Sequence, residues 1–366
     1  MSARWIMAVV VVMLALSGAG CVTVVTEQPL YGEKDKVNDP ALEGVWIREL
    51  NTDKDDDKVE IRREGEGSYL LRDAATARNE PALKDGKMVL FKLGPHYMIE
   101  LSAKELPDEL PKPEDRLFSK LALIEGKMFM TIPEGGAIDA LLRREPTLVK
   151  HRLFRERSGN GGTVTLTDST ENMRAFILKC GPMFFDFPME FCRRPKDAKV
   201  PVSTALQTKE QQTFEVMWLL WSHLKVIGKM SHEQGMRAVK TGVAELDKPL
   251  VGGEMDLLPA FALPASACDA RVGRLYRDMR AALVAIRVSG AKIPKPLPNP
   301  KEDPEKIKAN KEKYEVFCKN PLRALAADLA GEGGGDHPQR EELERLAKQL
   351  DELTVEMEKK YGVRWR

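Results

Sequence analysis

Hydrophobic periodicity changes once along this chain, and that change limits the possible fold more than any other feature. Between residues 42 and about 180, apolar side chains alternate with polar ones in short runs. Beyond residue 203 they recur every three or four positions. Val59 and Ile61 alternate with Lys58, Glu60 and Arg62, the period of a half-buried strand. Gly65-Glu66-Gly67 marks a turn, after which Tyr69 and Leu71 resume the alternation. Further strands are predicted over 87–93, 96–102, 116–124, 127–132, 147–156 and 162–167, with Gly94-Pro95 and Glu125-Gly126 as hairpin turns. Short strands at this spacing suit a meander that closes into a barrel or a sandwich, because closure removes exposed edges. One helix is expected over 137–144 and another after Asp168. There Asp168 and Glu171 have capping-box spacing, and Met173, Phe176 and Ile177 form an apolar stripe.

The second half reads as helix throughout. Phe214, Met217, Trp218, Trp221 and Leu224 share one face, and Val216, Leu219, Leu220 and Ile227 fill the others, which describes a central buried helix. Ser231 with Gln234 and Ser266 with Asp269 have the spacing to cap the next two helices. A proline-rich stretch over 293–304 serves as an extended connector. A helix over 304–330 with a kink at Pro321 follows, and glycines over 331–335 interrupt the chain. Leu343, Leu346, Leu350, Leu353 and Met357 form a 3-4-3-4 seam in a last helix over 338–361. These helices are expected to make an antiparallel bundle. The seam serves its core or, alternatively, homo-oligomerisation through the C-terminal helix.

Gly44-Val45-Trp46 opens the strand region and resembles the G-x-W motif of lipocalin-like and calycin barrels. The resemblance implies that Gly44 and Trp46 close one end of a barrel. The fold class expected is therefore α+β: an N-terminal antiparallel β-barrel of lipocalin-like meander topology, followed by a C-terminal α-helical bundle. The domain plan is a signal peptide over 1–20, a lipidated tether over 21–41, a β domain over 42–182, a connector over 183–202 and a helical domain over 203–366.

The N-terminus carries the address. Arg4 is the one charge before Cys21, Trp5 to Leu16 is unbroken apolar, and Ser17-Gly18-Ala19-Gly20 are small, the pattern of a secretory signal peptide. The apolar run is too short to span a bilayer, which takes about 20 residues. Small residues immediately before a cysteine resemble the lipobox of bacterial lipoproteins. The resemblance implies cleavage before Cys21, its lipidation with acyl chains such as palmitate, and membrane attachment. Val22 after the cysteine implies the outer rather than the inner membrane.

Composition narrows the rest. Apolar residues make up 43% of the chain, enough for large cores. Without Arg4 the 57 basic residues become 56 against 56 acidic, a balance that disfavours nucleic acid as a partner. Cys180, Cys192, Cys268 and Cys318 show no C-x-x-C spacing, and in an oxidising compartment an even number permits two disulfides. Of three pairings, Cys180–Cys192 with Cys268–Cys318 keeps each bridge within one segment. Asp53, Asp55, Asp57 and Glu64 fall at calcium-loop positions, but Lys58 replaces the required glycine, so the segment reads as a solvated hairpin tip. His96, His151, His223, His232 and His337 have no metal-ligand spacing and read as structural. No metal or cofactor is expected. Phe185, Phe187, Met189 and Phe191 alternate with polar residues and proline, which suits a core strand or loop, with an apolar lid or docking surface as the functional alternative. No nucleophile elbow or phosphate loop occurs. The function expected is a non-enzymatic envelope binding or assembly module. The alternatives are a carrier of a small apolar ligand or lipid and, more remotely, a hydrolase.

Overall fold

Over the predicted strands 96–102 and 116–124 the alternation expected of a half-buried strand gives way to burial on both faces. Met98, Ile99 and Glu100 are all buried, as are Phe118, Ser119, Lys120 and Leu121. That pattern follows from the layering seen in a computed structural model. The structure describes residues 22–48, 58–73, 86–102, 115–124, 126–155, 162–181, 185, 189–193, 205–222, 224, 267–288, 320–329, 338–363 and 365. The chain divides into two compact units, Met1–Gln212 and Thr213–Arg366.

The first unit is built on eleven strands: β1 Val22–Thr26, β2 Gly44–Arg48, β3 Lys58–Gly65, β4 Ser68–Asp73, β5 Gly86–Leu93, β6 His96–Ser102, β7 Arg116–Ile124, β8 Lys127–Thr131, β9 His151–Arg155, β10 Gly162–Leu166 and β11 Met189–Arg193. Two helices accompany them, α1 Gly135–Arg144 and α2 Thr170–Lys179. The sheet order is β6-β5-β4-β3-β2-β11-β8-β7-β1-β10-β9, with a further pairing of β6 to β7. Neighbours from β2 to β8 pair as antiparallel hairpins, as the alternation predicts.

The lipocalin-like antiparallel barrel is corrected. β1 runs parallel to β10, so the sheet is mixed. β7 takes three partners, β6, β8 and β1. β11 enters from beyond α2 to lie between β8 and β2, which breaks the meander, and the sheet ends on β9, paired to β10. Backbone pairing carries no side-chain code, so a long-range parallel partner leaves no trace in local alternation.

Two segments outside the expected β domain belong to it. Residues 22–41, read as a tether, supply β1 and then a strap across the sheet. Leu30, Ala41 and Leu42 are buried, Lys36 bridges Phe91, and Tyr31 stacks on Phe91 at 5.2 Å. The strap is pinned by Leu30 N–H donating to Glu100 at 3.0 Å, and by Arg174 of α2 donating to Leu30 O and to Asp35, each at 2.8 Å. The expected connector 183–202 likewise contains β11. One core cluster joins Trp46, Ile61, Tyr69, Met88, Leu90, Tyr97, Ile99, Leu121, Leu123 and Met128 with Leu206 from beyond the strands.

The second unit is helical: α3 over residues 213–222, continuing from helical residues 209–212, then α4 Ala270–Val288, α5 Pro321–Leu329 and α6 Gln339–Tyr361. Residues 213–222 are buried throughout, as the all-round apolar pattern requires. Every seam position of α6 from Leu343 to Met357 is buried. Arg271 pairs with Glu356 and Arg345 with Asp278, so α4 runs antiparallel to α6. Asn320 donates to Ala347 O at 2.7 Å and Arg323 pairs with Asp351, so α5 runs in the same direction as α6. The expected all-antiparallel bundle is corrected on that point. Pro321 opens α5 instead of kinking a longer helix, at a position that tolerates its missing N–H. Phe214 and Trp218 pack on Trp365 at 5.2 and 5.9 Å.

Candidate functional site

In the first unit a cleft of about 330 Å³ lies where α1 and the turn after it face α2. Ser169 starts α2, accepting the Asn172 N–H at 3.3 Å. The sequence reading placed the cap on Asp168, one residue early. Asp168 instead gathers three donors: Ser169 N–H at 2.8 Å, the Asn172 amide at 2.9 Å and Lys150 N–H at 2.9 Å. These hydrogen bonds, led by the one from Asn172, lower its pKa to about 2. Asp168 is therefore an ionised pin joining the start of β9 to α2.

Leu141, Leu148, Ala175 and Phe176 supply the cleft's apolar wall, with Asn172 and Lys179 as further polar groups. Cys180 also lines it, but burial pushes its thiol up to about 12, far from the thiolate that a nucleophile requires. With Asp168 committed to three donors, the cleft pairs an apolar wall with the polar groups of Thr147, Asn172 and Lys179.

Cys180 is a buried free thiol, so the disulfide expected at this position is not formed in this structure, and Cys268 is buried with its Sγ donating to Asp269 O at 3.5 Å. Cys192 lies on β11, and its side chain, like Cys318, lies outside the described residues, as does Cys21. Gly44 has φ 121°, a backbone region favouring glycine. Trp46 is buried and its indole N–H donates to Leu42 O at 2.9 Å, so it fills the core beneath the strap and closes no barrel end. Phe185 is buried and bridges Pro133. Met189 and Phe191 lie on β11, where their side chains lie outside the described residues, and Phe187 lies outside them altogether.

His96 is buried on β6, and burial followed by the charge of Lys120 holds its pKa well below the usual value. His151 Nδ1 lies 2.9 Å from Val149 O. His223, His232 and His337 and the acidic turn 51–57 lie outside the described residues. Among the described residues no cluster of three His, Cys, Asp or Glu side chains is arranged for a metal, and no helix is long and apolar enough to cross a membrane.

The structure also reveals a feature not singled out in the sequence. Leu148, Leu153 and Phe154 are 38%, 41% and 59% exposed, within a segment that holds Arg143, Arg144, Lys150, Arg152 and Arg155. The signal available in sequence was this crowding of basic residues around apolar ones, but alternation alone did not tell that both faces of β9 are open.

Comparison with known proteins finds no matching family model, curated protein or solved structure.

Proposed function

We propose that this chain is an exported, lipid-anchored protein of the bacterial envelope that acts as a non-enzymatic binding or assembly module. The observation that carries this reading is the order of apolar run, small residues and Cys21 at the N-terminus. Several acyl chains on one cysteine would give durable attachment, since each buried methylene contributes about 0.8 kcal/mol. Cys21→Ser is expected to release the protein from the membrane fraction and to eliminate incorporation of labelled palmitate. Retention of the variant in that fraction with label still attached elsewhere would refute the anchor.

A second reading is favoured by the cleft beside α2. Its volume of about 330 Å³ lies at the small end of ligand pockets, and its walls combine Leu141, Leu148 and Phe176 with polar Thr147, Asn172 and Lys179. On this reading the protein carries a small apolar ligand there. Extraction in mild detergent followed by lipidomics and proteomics separates the two. A stoichiometric small molecule lost in Phe176→Arg supports the carrier, and a stoichiometric protein supports the assembly module.

A further inference from the structure

The lipidated cysteine proposed above would leave the folded body no distance from the lipid. Val22, the next residue, is already paired in β1, opposite Gly162 of β10. A Cβ on Gly135 would overlap the Val22 carbonyl, so the first turn of α1 also packs tightly against this strand end. Consecutive Cα atoms are about 3.8 Å apart, and nothing between Cys21 and the sheet would act as a spacer.

The register shows what else lies at that end. Thr23 pairs with Thr163 and Thr163 with Phe154. Two strand steps put the Phe154 backbone about 10 Å from Thr23. Four large apolar side chains stand well exposed among the described residues; two of them, Leu153 and Phe154, sit near this end, and a third, Leu148, lies beyond the other end of β9, where His151 pairs with Leu166 opposite Thr26. Lys150 and Arg152 in the same segment are exposed. Arg152 pairs with Glu27, Arg143 with Asp139 and Arg144 with Glu145, so part of the positive charge is neutralised locally. The apolar side chains therefore supply the contact, and the basic ones bias it toward anionic headgroups.

We infer that the segment 148–155, with β9 as its outer edge, is a second membrane contact that lies on the lipid headgroups beside the Cys21 anchor. The inference rests on the anchor reading for its orientation. Leu153 and Phe154 project to opposite faces of β9, and an open strand edge still needs hydrogen-bond partners. The contact is therefore at headgroup depth, where water and phosphate provide them.

The test uses the Cys21→Ser protein, which isolates the strip from the acyl chains, in co-sedimentation with vesicles of phosphatidylglycerol or of phosphatidylcholine. Binding to the phosphatidylglycerol vesicles is expected to weaken with salt and to fall about tenfold in Phe154→Ser. Phe154→Trp should retain binding, and Val355→Ser, at an exposed apolar site of the helical unit, should leave it unchanged. No vesicle binding, or equal binding by Phe154→Ser and the parent, overturns the strip. So does a vesicle-free dimer that Phe154→Ser dissolves, because the β9 edge would then serve a second copy of the chain. Mass analysis of Cys21 in the native protein judges the anchor separately. An acylated Cys21 with a non-binding strip overturns only this inference, while an unmodified Cys21 with a binding strip overturns only the anchor.

Discussion

At the residue scale, two groups that line the cleft have their protonation states set by their surroundings. Cys180 is a thiol pushed up to about 12 by burial, and Asp168 is kept ionised by three donors. His96 has a measurable consequence. Its folded pKa lies well below 6.5, through burial first and the Lys120 charge second. Below about pH 6.5 the unfolded chain takes up a proton that the folded one refuses, so stability falls as pH drops through the unfolded value. The slope approaches about 1.4 kcal/mol per pH unit until the folded pKa is reached. Urea titrations between pH 7 and pH 5 should show this loss in the parent and a flatter profile in His96→Gln. An identical slope in both would remove His96 as its source.

At the element scale, Asp39 shows how the strap and the segment before α3 are held. It is buried, its carboxylate accepts Ala41 N–H at 2.9 Å, Ala205 N–H at 3.0 Å and Leu206 N–H at 2.8 Å, and its own N–H donates to Tyr69 Oη at 2.8 Å. Asp39→Ala leaves three inward-facing donors without their acceptor. Each such loss costs about 1–3 kcal/mol, so the first unit should lose at least about 2 kcal/mol. Chemical denaturation followed by a signal from the sheet unit checks this; a loss below 0.5 kcal/mol, an order-of-magnitude bound for an ordinary surface change, would show that the segment is held by other contacts. The α6 seam is similarly accounted for within one chain, since its five positions are buried with α4 and α5 alongside.

At the scale of the whole molecule, the proposed address and the observed sheet constrain each other. With 22–41 as a tether, the body would stand off the membrane by roughly 25 Å. With β1 in the sheet, an anchored body lies on the lipid. Inserting about twenty Gly/Ser residues between Cys21 and Val22 restores the spacing the tether would have given. Fractionation should then be unchanged, because the acyl chains still hold. Hydrogen exchange of β9 amides on proteoliposomes should rise in the insertion variant; equal protection would show that β9 owes nothing to the nearness of the anchor.

The sequence by itself determined where most described elements lie. β5 to β10, α1, α2 and α6 fall on their predicted segments, because alternation and helical spacing report which face a local stretch buries. It also supplied the apolar run, small residues and Cys21 on which the proposed anchor rests. The tertiary structure alone decided which strands pair. β1 meets β10 across more than 130 residues of chain, β11 inserts between β8 and β2, and the strap buries Leu30 beside Glu100 of β6. Backbone hydrogen bonds are the same for every sequence, so a distant partner is chosen by the packing of whole layers. The exposed Leu153 and Phe154 were legible as residues but not as a surface, since only an edge strand leaves both of its faces open.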